Sequence, residues 1–314
     1  MARIKMSRIS NFPIMFFAII MGFGGFSMAI RKVSVAFEIN SLYFDIFKII
    51  TSAIFLLVVL LYAIKIFINI DEVKSEFNHQ IRLNFFGAIP ISFLILANLW
   101  QKSIVYEWLF YSGLILQTYI TFRVIAFWIN KNLEIKHSNP AWFIPVVGNL
   151  IVVISSDKNY EWLWYYFSIG VFFWIILFSI MFYRILFHEQ LAQKFMPTLF
   201  IMIAPPAVGF LGYYKLVGFD VAANIMLNLT IFFSFMVIYM YKNFLKLKFF
   251  LSWWAFIFPS AAASIAILEG YNINNNIAFL YIGMTIFILL FVMVIYVSYH
   301  TVKNIIAKNI CVME

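Results

Sequence analysis

His137-Ser-Asn-Pro-Ala-Trp-Phe-Ile-Pro-Val-Val-Gly-Asn-Leu-Ile-Val-Val-Ile-Ser-Ser156 is the stretch whose reading decides the fold. Its 20 residues include no Asp, Glu, Lys or Arg, and a helix of about that length crosses the hydrocarbon core of a bilayer. Pro140 and Pro145 nevertheless interrupt it. Proline has no amide hydrogen and clashes with the turn before it, so Pro145, deep in the run, must break or kink its helix. At membrane depth such a defect is tolerated where other helices bury it or where it lines a water-filled cavity. The run therefore belongs inside a bundle and not against lipid.

Outward from this stretch, cutting the chain at every charged residue leaves ten charge-free runs of fifteen residues or more. Two are short, 49–64 and 108–122, and borrow length past Lys48 or Lys65 and past Arg123, whose long side chains can snorkel to the headgroups. Extended to their flanks, the runs predict spans near 9–31, 44–68, 83–101, 104–130, 139–157, 161–186, 195–215, 219–243, 249–269 and 275–303. Continuous apolar runs exclude a transmembrane barrel, whose strands alternate. The expectation is an all-α polytopic membrane protein, one transmembrane domain over residues 1–314. Composition agrees: 65% hydrophobic, 21% aromatic and 11% charged residues, against roughly 45–50% apolar and 25% charged in soluble domains. The single Cys311 excludes a disulfide scaffold, a CxxC pair and thiolate metal clusters.

All eight prolines lie in odd-numbered runs, and Pro90, Pro145, Pro205 and Pro259 sit deep in theirs, separated by 55, 60 and 54 residues. The first run lacks a deep proline but carries Gly22, Gly24 and Gly25 at that depth. This periodicity marks repeated units. Each unit is a hairpin of one broken helix and one regular, aromatic-rich helix. Five broken helices belong inside, ringing a central passage, and five regular ones belong outside.

The basic start Met1-Ala-Arg-Ile-Lys5 precedes a 22-residue apolar run, too long for a signal peptide's core, so it reads as the flank of a retained first span. With the N-terminus inside, 16 of the 22 Lys and Arg fall in cytoplasmic segments. The positive-inside rule then places both termini in the cytoplasm and accounts for the pI of about 9.4 without nucleic acid.

Enzymes and proton-coupled pumps of the membrane place ionisable groups inside their spans. Here His79, His137, His188 and His300 all lie at or near cytoplasmic ends, none with metal-ligand spacing. No cofactor or metal site is expected. Arg123 reads as an anion attractor near the inner mouth or, more simply, as a snorkelling anchor on an outer helix. Glu269 reads as a solvated end of the ninth span, and Asn98, Asn149 and Gln117 as polar glue between helices. A tunnel without fixed charges binds nothing tightly, as a passive pathway requires. Such a tunnel ranks anions mainly by dehydration cost and size.

Asn139-Pro-Ala-Trp-Phe-Ile-Pro-Val-Val-Gly-Asn149 resembles the fifth-span signature of the tellurite-resistance TehA and C4-dicarboxylate transporter family, which includes the slow-type anion channels of plant guard cells. Phe86-Gly-Ala-Ile-Pro-Ile91, Ile203-Ala-Pro205, Trp253-Trp-Ala-Phe-Ile-Phe-Pro259 and Phe16-Phe-Ala-Ile-Ile-Met-Gly-Phe-Gly-Gly25 are similar in turn, in order along nearly the whole chain. The resemblance implies ten helices in quasi-fivefold arrangement around a central pore, assembled as a homotrimer with one pore per subunit. It also implies a phenylalanine plug from the ninth helix, which by position is Phe258. Where bacterial relatives carry proline in the first span, Ile20 stands here, leaving Gly22 to supply any irregularity.

The sequence thus points to a passive anion channel or facilitator of the inner (cytoplasmic) membrane, gated by Phe258, with kinks at Pro90, Pro145, Pro205, Pro259 and Gly22. Phe16, Phe23 and Phe86 are further candidates for the pore lining. Its partners would be small inorganic or organic anions and the lipid bilayer. The alternatives are a coupled carrier for C4-dicarboxylates or tellurite-like oxyanions, and a membrane-embedded enzyme, which the missing acid–base and metal residues disfavour.

Overall fold

A computed structural model describes residues 8–311; the basic start Met1–Lys5 lies outside the described residues. Twelve α-helices and short 3-10 segments make up the regular structure, and no strand occurs among the described residues. In chain order the helices are α1 (Phe17–Ala36), α2 (Leu42–Ile68), α3 (Ile70–Asn78), α4 (Arg82–Phe85), α5 (Ala88–Leu99), α6 (Val105–Asn130), α7 (Ile144–Ser155), α8 (Leu163–Phe187), α9 (Ala204–Val217), α10 (Val221–Tyr239), α11 (Ile257–Asn274) and α12 (Ile277–Ile306).

Each predicted inner span is a compound element. A 3-10 or short helical segment leads into an α-helix: Ile14–Phe16 into α1, α4 into α5, Pro140–Phe143 into α7, Gln193–Ile203 into α9 and Leu251–Phe256 into α11. Pro90, Pro145, Pro205 and Pro259 all fall in the first turn of the α-helical half. There the missing amide costs little, because first-turn amides have no partner within the α-helix. The proline period is thus the period of the junction between leading segment and α-helix. Side chains add bonds near the junctions: Ser92 Oγ donates to Ala88 O at 2.7 Å, Ser260 Oγ to Phe256 O at 2.7 Å, and Gln117 Nε2 to Pro145 O at 2.7 Å.

The first unit changes at the same depth without proline. The junction lies between Phe16 and Phe17, and α1 then runs as one helix through Ile20 and Gly22. Gly22 is therefore not where the first inner helix breaks. Its missing side chain admits Trp254, whose ring carbon would lie 2.8 Å from a Cβ at that position.

α1, α5, α7, α9 and α11 pack side by side in that order, and α11 returns to α1, closing a five-membered ring. Their leading segments close a second ring in the same order. Each inner helix packs on the long helix that follows it in sequence, α2, α6, α8, α10 or α12. Burial separates the two sets. The apolar windows of four inner spans are 72–83% buried, whereas those of the five outer helices are 22–33% buried. The fifth inner span, Pro140–Ser155, is the shortest and is almost entirely buried. Large apolar side chains such as Leu56, Ile115, Phe172, Phe232 and Ile288 face outward, as lipid requires.

Two connections carry information the charge-free runs did not. Asn275, in the left-handed region at φ 51°, ends α11, and Asn276 Oδ1 accepts from Ala278 N at 3.0 Å to start α12. Between α2 and α5 stands the short polar helix α3, capped by Asn69 accepting from Glu72 N at 3.3 Å. Lys65, expected to snorkel, turns inward instead. Its Nζ lies 2.6 Å from Glu76 of α3 and donates to Phe12 O at 2.9 Å, while Tyr62 Oη donates to the same carboxylate at 3.1 Å. Lys65 and Glu76 are both buried, so this pair fastens α3 across the end of α2.

Candidate functional site: the cavity inside the helix ring

Where leading segments meet α-helices, the double ring encloses a cavity walled by all five inner units. Met15, Ala18 and Met21 come from the first, Phe85 and Ile91 from the second, Ile144 and Val147 from the third, Ile201 and Ala204 from the fourth, Trp254 and Phe258 from the fifth. Ser252 is the one hydroxyl in its wall, and it is committed, donating to Lys194 O at 2.5 Å. The cavity admits water-sized spheres over about 50 Å³, which at roughly 10–15 Å³ per water is room for a handful of molecules. An ion with an intact hydration shell does not fit through such a space.

Phe258 lies on this wall, in the first turn of α11 directly before Pro259. Its ring rests on α1 at Gly25: a Cβ there would lie 2.9 Å from Phe258 Cδ2 and 3.2 Å from Ala261 Cβ. Trp254, one turn earlier, is fixed by its indole N–H donating to Thr301 Oγ1 of α12 at 3.0 Å. The glycines of α1 therefore let α11 approach closely enough to bring both aromatic rings to the cavity.

The other candidate phenylalanines lie off the wall. Phe16 stacks on Phe12 at 4.2 Å between ring centroids, Phe23 packs beside Trp254 at 5.3 Å, and Phe86 meets Phe77 edge-on at 4.9 Å. Their neighbours Met15 and Phe85 line the cavity in their place. One residue along a helix turns a side chain by about 100°, and in runs where nearly every residue is apolar the sequence gives no contrast to fix that angle. The spacing Met15, Ala18, Met21 and Ile144, Val147, Ile151 is the helical signal that could have found the wall.

Polar residues of the spans separate into two groups. Gln117 donates to Pro145 O, and Asn149 Nδ2 donates to Thr121 Oγ1 at 3.0 Å, joining α6 to α7 at its junction. Asn98 Nδ2 donates to Ile154 O at 2.9 Å and its Oδ1 accepts from Arg31 at 2.6 Å, joining α1, α5 and α7. Arg123 is remote from the cavity: it donates to Asn78 Oδ1 at 2.8 Å and lies over Phe77, anchoring α6 to α3. Glu269 is not a freely solvated end, because it is ion-paired with Lys32 of α1. Among the described residues no group of three His, Cys, Asp or Glu side chains could hold a metal ion.

A ring of five helical hairpins with apolar outer faces around an apolar cavity defines a polytopic membrane protein. The family profile described as SLAC1, voltage-dependent anion channel, matches residues 11–302, and the chain belongs to that family. It is 28% identical over 229 residues to the S-type anion channel SLAH3 of Arabidopsis thaliana, covering 70% of this chain and 36% of that protein. It is 27% identical over 202 residues to the tellurite resistance protein TehA homolog of Haemophilus influenzae, covering 62% and 61% of the two chains. The uncharacterized transporter MJ0576 of Methanocaldococcus jannaschii is 25% identical over 325 residues, with 91% of each chain covered. The chain spans 36% and 42% of the lengths of SLAH3 and SLAH2, the plant relatives it matches.

Proposed function

We propose that this protein is a passive anion channel whose tunnel is closed by the ring of Phe258. The carrying observation is the seat of that ring: on the wall of a cavity that all five inner units share, against Gly25, in a passage with room for a few waters. Because the wall carries no charged side chain, an anion would be held weakly and released readily, as conduction requires. A dicarboxylate carrier would need paired cations facing its substrate, and this wall offers none. The ten helical segments cross the cytoplasmic membrane with both termini inside. The subunits form a homotrimer, the arrangement implied by the resemblance to the TehA family, and each carries its own pathway.

Electrical recording under an anion gradient tests the gate. Phe258→Ala should raise anion conductance by an order of magnitude or more while the protein still assembles, and Phe258→Leu should raise it less. A well-assembled Phe258→Ala protein that conducts no better than wild type would remove Phe258 from this role. Turnover coupled to a proton or sodium gradient, in place of passive current, would favour the carrier.

A further inference from the structure

Each inner helix runs on from the cavity toward its C-terminus. Eleven residues are three helical turns and about 16 Å of rise, with a side chain returning to within about 20° of its starting direction. Eleven residues past Met21, Ile144, Ala204 and Phe258 stand Lys32, Ser155, Lys215 and Glu269, and two turns past Ile91 stands Asn98. Each of the five inner helices thus carries, near its C-terminal end, one polar residue in register with its cavity-lining residues. Together they make a polar collar at the C-terminal ends of the inner helices.

The collar is excess positive. Lys32 and Glu269 neutralise each other, but Arg31 and Lys215 make no ion pair among the described residues. Both converge instead on the last turn of α7. Lys215 Nζ donates to Val153 O at 2.9 Å and also to Ser156 O. Arg31 donates to Asn98 Oδ1, and Asn98 passes the link to Ile154 O at 2.9 Å. Between these carbonyls sits Ser155, fully buried, whose hydroxyl has no hydrogen-bond partner. Asp157, the acid whose charge acts on Lys215, is held by Tyr106, which donates to its Oδ1 at 3.3 Å and accepts from its amide at 2.8 Å. Two half-buried cations that make no ion pair among the described residues, both tied to the end of α7 where a buried hydroxyl has no partner, are what a small anion would complete.

We propose that the C-terminal mouth holds a monovalent anion of halide or nitrate size at the last turn of α7, bound by Arg31, Lys215 and the Ser155 hydroxyl. Five helix C-termini converge on this mouth, and their partial negative charges would repel an anion leaving or entering the tunnel. The collar reverses that field and concentrates anions where the apolar passage begins. This rests on the reading of the tunnel as an anion pathway.

Two measurements on the full-length protein separate the collar from that reading. In crystals soaked in iodide, anomalous scattering should show iodide beside Arg31, Lys215 and Ser155, and the peak should vanish in Lys215→Gln. Absence of iodide there in the wild type overturns the site whether or not the tunnel conducts. In a Phe258→Ala background at low ionic strength, Lys215→Gln should lower anion entry from the C-terminal mouth by about two- to threefold, the effect in water of one unit charge on an approaching anion still some 7–8 Å away. Lys215→Arg should preserve it, and the difference should fade near 1 M salt. A conducting Phe258→Ala protein indifferent to Lys215→Gln also overturns the proposal. A non-conducting Phe258→Ala protein with iodide bound leaves the collar standing and removes the gate.

Discussion

Replacing Gly25 with alanine puts a methyl group where the ring of Phe258 now rests. The added Cβ would lie 2.9 Å from Phe258 Cδ2 and 3.2 Å from Ala261 Cβ. Carbon atoms at optimal separation sit about 3.5–4.0 Å apart, so the ring must give way by about half an ångström or more. Ala261 is backbone-fixed and buried on the same helix, which leaves rotation of the Phe258 side chain as the cheaper relief. A side chain pushed some 30° off its rotamer costs about 0.5–1.5 kcal/mol. If that cost falls on the closed position alone, the open-to-closed ratio rises by about two- to twelvefold. Anion current normalised to the amount of protein at the membrane is the assay. A mutant cycle isolates the contact: in a Phe258→Ala background Gly25→Ala should add nothing, because the ring it displaces is gone. Unchanged or lower current in Gly25→Ala, or an equal gain in both backgrounds, would refute the reasoning.

Glu76→Gln leaves the Lys65 ammonium buried without its counter-charge and should cost about 3–5 kcal/mol, read as a lower thermal transition in detergent. The pair Lys65→Met with Glu76→Leu should recover most of that loss. At the start of α4, His79 Nδ1 accepts from the amides of Ile81 at 3.1 Å and Arg82 at 3.3 Å. Partial burial, then the charges of Arg82, His137 and Lys194, hold its pKa below the ordinary value. Its contribution is therefore complete above about pH 6.5 and is lost as pH falls through the lowered value. Hydrogen exchange at Ile81 and Arg82 should accelerate on acidification, and His79→Phe should abolish that pH dependence. In a Cys311→Ser, Phe258→Ala background, cysteine at Ala204 or Ala255 should react with water-soluble thiol reagents, while cysteine at Ile225 or Phe232 of α10 should not. Reaction along α10 with none on the cavity wall would invert the inside and outside of the ring.

The sequence by itself determined the solvent, the helical character of the chain and the division of its long apolar segments into inner and outer sets. Charge-free length decides whether a helix suits lipid, and the confinement of all eight prolines to alternate runs marks the helices that must be covered. Those are one-dimensional properties, so they survive without coordinates. The family resemblance singled out Phe258, which composition alone could not separate from 39 phenylalanines. Tertiary structure decided what depends on angle and on partners distant in sequence. It set the tunnel face, turning Met15 and Phe85 inward where Phe16 and Phe86 were the expectation. It buried Lys65 on Glu76, paired Lys32 with Glu269, and tied Lys215 and, through Asn98, Arg31 to the end of α7. In runs where almost every residue is apolar, hydrophobic periodicity loses its contrast, and only packing of helix against helix fixes the rotation that makes a residue wall or filler.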